Sequence, residues 1–506
     1  MGVVARQSIK GSIANYIGVA IGFFTTFFVL TKCLTQEEIG LTRVLVDAAT
    51  LFAAFAQLGS NSSLIKFFPY FNDGRGNRGL FGLSLLLPFV GFALITGVLL
   101  LFRGEIIEVY SERSPLITQY FYLLLPLMFF MLYLTVFETN ANVLMRITVP
   151  RLVREVGIRL MTLVCYLLYG YRVISFDVFV LLFTLSYAVA MVLNLCYLIG
   201  LKKISFRIEL KTLDKRLLVD FIRYSLFMTI IVLAGSSQLV GSLFIGAKQG
   251  LALTGVYTIA FFIANVVEVP YRSLGAIARP IVATAAKEED WREVTNIAKK
   301  VSLHQLLVST TILLLIWINL DALFAVIPNG EEYKGGRWVV LILGLAKVVN
   351  STLGISVDVL NYSKRFRMGL LFVLVLSFGM VLLNYWLVGV WSINGAAAAA
   401  VFSYVAYYSG LLIYNRVRLG VSVFSLAELK VLAVIGIGVA LDLLWRTVVT
   451  PMMGESLVWI LIDAALKTGL IATLLVVAIY KMKISQNIND IIDKMILRRR
   501  PTDCNK

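Results

Sequence analysis

Apolar residues along this chain fall in runs of about twenty or more, the length that spans a hydrocarbon core, and the polar stretches between them are short. The pattern predicts an all-α polytopic membrane protein with fourteen transmembrane helices, at 11–31, 39–59, 80–102, 115–137, 152–171, 175–200, 221–246, 252–276, 301–320, 337–361, 368–389, 393–414, 428–448 and 457–480. Two of these runs are unusual: 39–59 carries Arg43 and Asp47, and 152–171 carries Arg154, Glu155 and Arg159. An ionised group at a helix centre costs roughly 2.5–3.5 kcal/mol on insertion scales, so each needs a reason to be there.

The distribution of Lys and Arg supports counting both as spans. With the N-terminus in the cytoplasm, roughly 34 of the 46 basic residues lie on the cytoplasmic side, as the positive-inside rule requires. Lys66, Arg75 and Arg78 follow the second span, Arg146 and Arg151 flank the fifth, and Lys202, Lys203, Arg207, Lys211, Lys215 and Arg216 follow the sixth. "YSKRFRMG", "NRVRLG" and the "LRRR" tail continue the series. Removing either charged span would invert every later loop. Both termini are therefore expected in the cytoplasm. The net charge of +17 follows from this bias and from attraction to anionic membrane lipids, and no nucleic acid is expected as a partner.

Composition agrees: 59% hydrophobic and 15% charged residues leave little room for a soluble domain. The N-terminal apolar run is too long for a signal peptide and lacks a small-x-small cleavage site, so it reads as the first span. Four cysteines (Cys33, Cys165, Cys196, Cys504) lie far apart, and His304 is the only histidine, so neither a metal site nor a His-based triad is expected. There is no phosphate-binding G-x-x-x-x-G-K-[ST] loop, no G-x-S-x-G elbow and no D-x-D pair to hold a metal–nucleotide sugar. The longest internal connections are too short for a catalytic domain. An enzyme is disfavoured, no cofactor is expected, and a transporter or flippase is favoured.

Polar residues inside spans should face protein or a water-filled cavity. At about 100° per residue, Arg43, Asp47, Thr50, Gln57 and Asn61 fall within an arc of roughly 80°. Lys347, Asn350, Ser351, Gly354, Asp358 and Asn361 share about 100° of the tenth span, and Thr258, Asn265, Glu268, Arg272 and Arg279 roughly 80° of the eighth, where Pro270 predicts a bend. Arg151, Arg154, Glu155 and Arg159 lie within about 140° in the fifth. One reading makes these stripes interhelical polar glue; the other lines a hydrophilic lumen, richer in cations than anions. On the second, the cargo-contacting candidates are Arg43, Asp47, Arg151, Arg154, Arg159, Glu268, Arg272, Lys347, Asn350, Asp358 and Asn361. Arg151 and Arg154 equally fit as snorkelling interface residues. Asp47, Glu268 and Asp358 are the ion-coupling candidates. Arg43 and Arg272 each stand one turn from a carboxylate, Asp47 and Glu268, which makes these pairs, while Asp358 has no basic residue within one turn on its own helix. Asp442/Arg446 and Asp463/Lys467 are i,i+4 pairs that suit helix packing.

"LTRVLVDA" (41–48) over "LTGVYTIA" (253–260) matches at Leu, Thr, Val and Ala and suggests a repeat of six helices. The expected layout is two six-helix lobes related as parallel repeats, 1–210 and 211–420, with two further helices and a basic tail in 421–506.

"EEIGLTRVL" before the second span, and "NYSKRFRMGLLFVLVLSFGMVLLNYWLVGVWSINGAAAAAVFSYV" across the tenth to twelfth, carry a resemblance. The chain resembles the polysaccharide- or O-antigen-unit flippases of the multidrug/oligosaccharidyl-lipid/polysaccharide exporter superfamily. Asn384 and the "WSINGAAAAA" start of the twelfth span match features that recur there, although Trp391 and Ser392 stand where Gly is common. The resemblance implies a lipid-linked oligosaccharide cargo, undecaprenyl-pyrophosphate-borne, flipped across a bacterial inner membrane by alternating access for surface polysaccharide or lipopolysaccharide assembly. It also implies coupling to a proton or sodium gradient, with other polysaccharide-assembly membrane proteins as candidate partners. A lipid-linked peptidoglycan precursor flippase and a drug/cation antiporter of the same superfamily are the alternatives. A membrane glycosyltransferase or polymerase fits less well, for want of a catalytic loop.

Overall fold

The computed structural model describes residues 17–71, 79–201, 215–454, 456–484 and 493. Residues 11–16 of the first expected span, Arg75, Arg78, Lys202, Lys203, Arg207, Lys211, the 210/211 lobe boundary, Cys504 and the basic tail lie outside the described residues.

The described chain is built from helices: α1 Ile17–Cys33, α2 Gln36–Ala56, α3 Ser60–Phe71, α4 Leu80–Leu101, α5 Arg103–Ser111, α6 Pro115–Val143, α7 over 148–170, α8 Phe176–Gly200, α9 Arg216–Lys248, α10 over 251–287, α11 Trp291–Ile318, α12 Leu320–Val326, α13 Gly330–Leu353, α14 Ile355–Asn361, α15 Met368–Leu419, α16 Ala427–Val448 and α17 Leu457–Lys481. Among the described residues ten of these are long and apolar enough to cross a membrane: α2, α4, α6, α8, α9, α10, α11, α13, α15 and α17. This is a multi-pass membrane protein.

Local chemistry starts and breaks these helices. Thr35 opens α2 with a capping box: its Oγ1 accepts the Glu38 amide at 3.3 Å while Glu38 Oε2 accepts the Thr35 amide at 2.8 Å. Ser175 and Asp290 cap α8 and α11 in the same way on one side. In α10 a 3₁₀ turn at Val266–Glu268 precedes Pro270, which cannot donate a backbone hydrogen bond, so the α-helix is interrupted where the sequence predicts a bend. α15 runs for 52 residues with one break at Ser392, whose φ of 53° and ψ of −134° leave the helical region.

The chain divides into two compact units, residues 1–259 with 377–396 and residues 260–376 with 397–506. In the first, α2 and α10 meet backbone to backbone at their starts. A side chain at Gly40 would overlap the Leu251 carbonyl, and one at Gly255 would overlap the Gln36 carbonyl. Close approach of this kind supplies van der Waals packing where lipid offers no hydrophobic contrast between helices. Leu64, Phe67, Phe81 and Phe221 form a buried cluster joining α3, α4 and α9. In the second unit, Leu307, Leu314 and Ile318 of α11 pack on Val431 and Val434 of α16 and Ile471 and Leu475 of α17. Val294, Ala298 and Val301 of α11 pack on Val282 of α10 and on Ile355 and Val359 of α14.

Candidate functional site

Arg43 and Asp47 stand one turn apart on α2, well inside the capped start. Arg43 Nε lies 2.6 Å from Asp47 Oδ2, and the Ser242 hydroxyl of α9 donates to the same oxygen at 2.5 Å. Asp47 is buried, so an ion pair and a hydroxyl replace the water it lost. The rest of the expected stripe is split between two helices, because α2 ends at Ala56 and Asn61 stands on α3. Thr50 Oγ1 lies 3.4 Å from Met131 Sδ, and Asn61 Nδ2 donates to the Thr135 carbonyl at 3.5 Å, so these two pack against α6.

On α7 each acidic partner is met by one arginine. Arg154 pairs with Glu138 of α6 at 2.7 Å, and Arg159 pairs with Glu155 at 3.1 Å while donating to the Gly18 carbonyl of α1. Arg151 has no ion pair among the described residues.

In the second unit Glu268 sits on the 3₁₀ turn of α10 and accepts on both oxygens. Lys347 Nζ donates to Oε2 at 2.8 Å and Asn350 Nδ2 to Oε1 at 2.7 Å, and Tyr408 Oη donates to Asn350 Oδ1 at 2.7 Å. The spacing on α10 had pointed to Arg272 as the neighbour of Glu268. The 3₁₀ turn and Pro270 interrupt the α register between them, and Lys347 from α13 takes the carboxylate instead. Arg272 is exposed and has no ion pair among the described residues.

Asp358 takes its partner from another helix. No basic residue of its own helix is near it, but Arg279 of α10 reaches it, Nε to Oδ2 at 3.2 Å. Periodicity along one helix is blind to a partner on another. Tyr271 lies over this pair, its ring centroid 6.0 Å from the Arg279 guanidinium, and the missing side chain of Gly354 leaves room for the Tyr271 hydroxyl. Asn361 is exposed at the end of α14.

The pairs expected near the C-terminus form as spaced, Asp442 with Arg446 at 2.8 Å and Asp463 with Lys467 at 3.6 Å. They are joined across helices by Lys467–Asp442 at 3.8 Å and extended by Arg446–Asp321 at 3.2 Å and Arg337–Asp321 at 3.0 Å. Six alternating charges of this kind tie α16 and α17 to α12 and the start of α13. Ser242, Tyr408, Glu138 and Asp321 were missed by sequence reasoning. The two hydroxyls sit in apolar runs, where one polar residue carries no pattern, and the two acids lie at helix ends.

Each candidate carboxylate therefore has a cationic counterpart: Asp47 with Arg43, Glu268 with Lys347, Asp358 with Arg279. Arg151 and Arg272 are left over. Among the described residues no group of three or more His, Cys, Asp or Glu side chains is disposed to hold a metal ion.

No family model and no curated protein sequence matches the chain. Its fold does match solved structures. A lipid II flippase MurJ in an inward closed conformation superposes with a TM-score of 0.71 at 12% identity, covering 94% of this chain and 100% of that one. An inward-facing multidrug resistance MATE family transporter of the MOP superfamily gives 0.63 at 15% identity, covering 82% and 98%. A MOP superfamily transporter from Pyrococcus furiosus gives 0.58 at 16% identity, covering 83% and 95%. The chain thus has the fold of these transporters.

Proposed function

We propose that this protein is a flippase of that superfamily, and that it moves an undecaprenyl-pyrophosphate-linked oligosaccharide unit across a bacterial inner membrane by alternating access, for surface polysaccharide or O-antigen assembly. The observation that carries the reading is the charge balance of the polar sites. Carboxylates inside apolar helices are neutralised by partners, which leaves Arg151 and Arg272 as surplus cations for an anionic cargo. A guanidinium binds phosphate oxygens bidentately, which suits a pyrophosphate better than a cationic drug.

The reading takes the chain to cross fourteen times with both termini in the cytoplasm. A straight helix of 52 residues is roughly 78 Å long against a core of about 30 Å, so α15 counts as two crossings meeting at Ser392. α1, α7 and α16 supply the other three. The lobes 1–210 and 211–420, with 421–506 added, belong to the same proposal, as do other polysaccharide-assembly membrane proteins as partners and a proton or sodium gradient acting through Asp47, Glu268 or Asp358.

A lipid-linked peptidoglycan precursor is the second cargo, favoured by the lipid II flippase fold that covers 94% of the chain where the MATE fold covers 82%. The difference is about 60 residues, close to the size of the α16–α17 pair. Deleting the gene and assigning lipid-linked oligosaccharide to each leaflet separates the two: cytoplasmic accumulation of the oligosaccharide supports the first cargo, and of the peptidoglycan precursor the second.

A further inference from the structure

The α1 sequence Gly18-Val-Ala-Ile-Gly22 places two glycines one turn apart on the face that meets α7. Spacing of this kind lets a neighbouring helix approach closely in a membrane. Here it admits an ionised side chain. A Cβ at Gly18 would stand 2.7 Å from the Glu155 carbonyl oxygen, and one at Gly22 would stand 2.5 Å from the Arg159 guanidinium. Arg159 fills the space, donating one arm to the Gly18 carbonyl and the other to Glu155 Oε2 at 3.1 Å.

Both helices are wound as π-helix beside this contact. In α1 the π segment Thr25–Leu30 begins three residues after Gly22, and in α7 the segment Val153–Gly157 ends two residues before Arg159. π turns are rare and recur at functional positions. The Arg159 side chain is 34% exposed, so its guanidinium is within reach of a further acceptor.

We propose that Gly18 and Gly22 form a slot that holds the Arg159 guanidinium against α1, and that a phosphate group competes with the Gly18 carbonyl for it. A charged acceptor forms the stronger hydrogen bond to a guanidinium, so an arriving pyrophosphate exchanges a neutral partner for an anionic one and frees α1 from α7. Arg159 is then a positioning residue that reports occupancy to α1. The choice of anion rests on the flippase reading; the slot does not.

Two measurements on the detergent-purified chain test this. In the first, Gly22→Ala lowers Tm by about 1–3 °C in the wild-type background, the shift that the roughly 1–3 kcal/mol cost of overpacking produces in a chain of 506 residues, and leaves it unchanged in Arg159→Met, because the collision is removed. Equal shifts in both backgrounds overturn the slot. In the second, farnesyl pyrophosphate accelerates amide exchange across residues 17–24 in the wild type, farnesol does not, and Arg159→Met responds to neither. Unchanged exchange at saturating farnesyl pyrophosphate, or no binding of it, overturns the competition. The first measurement uses no cargo, so a flippase reading that fails in leaflet assays leaves its outcome intact.

Discussion

Lys347 and Glu268 are 79 positions apart in sequence and 2.8 Å apart in the fold, and the lysine side chain is 8% exposed. Their pairing joins α13 to the 3₁₀ turn of α10. An ammonium so placed would be costly without the carboxylate, and the carboxylate without the ammonium. Lys347→Met should therefore destabilise the protein by about 3–5 kcal/mol, the usual cost of stranding one member of a buried pair. Glu268→Gln added to it should restore part of that loss. Thermal unfolding in detergent checks this, and additive losses would count against a direct pair.

Arg151 and Arg272 carry the opposite expectation. Neither has an acidic partner among the described residues, so Arg272→Ser and Arg151→Ser should leave the unfolding free energy within about 0.5 kcal/mol of wild type, as surface substitutions do. Both should slow cargo movement. Arg43→Ser, which strands Asp47, should lose stability as well as transport. Reconstituted transport and Tm measured on the same preparations separate these cases.

Among the three acids, Asp358 has the longest ion pair, at 3.2 Å, and its partner Arg279 has the most exposed side chain, at 45%. Asp47 and Glu268 are each held by two groups. If flipping is gradient-driven, Asp358→Asn should alter its pH dependence more than Asp47→Asn or Glu268→Gln. An unaltered profile in Asp358→Asn removes it as the coupling site.

Outside the membrane-spanning helices, Glu289 lies in the turn before α11, 2.5 Å from the Lys364 ammonium, which holds its carboxyl below the ordinary value. A carboxyl lowered in the folded state contributes stability above its ordinary pKa and loses it as pH falls through the folded one. Both side chains are exposed, so the contribution is small. Lys364→Gln should move the Glu289 titration upward in a carboxyl NMR experiment, and an unmoved titration would mean the contact is absent in solution.

At the start of α2, Thr35→Ala removes the acceptor for the Glu38 amide and should cost about 1 kcal/mol. Faster amide exchange confined to residues 36–39 is the expected readout.

Helix positions were largely legible because apolar runs long enough to span a bilayer are a coarse and redundant signal. The expected 80–102 appears as Leu80–Leu101, 175–200 as Phe176–Gly200, and 457–480 as Leu457–Lys481. Pairs within one helix were legible too, since Arg43–Asp47 and Asp442–Arg446 follow from spacing alone. Pairs between helices were not. Lys347–Glu268 and Arg279–Asp358 depend on how α10 resumes after its 3₁₀ turn and which of its faces meets α13 and α14, and no periodicity along one segment encodes that. The role of Gly22 was equally hidden, since a glycine that makes room for a partner looks like any other glycine in an apolar run.

The proposed movement of a lipid-linked, pyrophosphate-bearing glycan between leaflets can be observed directly. Its most direct test is reconstitution into proteoliposomes with undecaprenyl-pyrophosphate-linked oligosaccharide on the inner leaflet, followed by its appearance to an impermeant glycan-modifying enzyme outside. Exposure should rise with the wild-type protein and fall towards the protein-free rate in Arg272→Ser. Exposure at the protein-free rate with folded wild-type protein under an imposed gradient, for this cargo and for the peptidoglycan precursor alike, would contradict it.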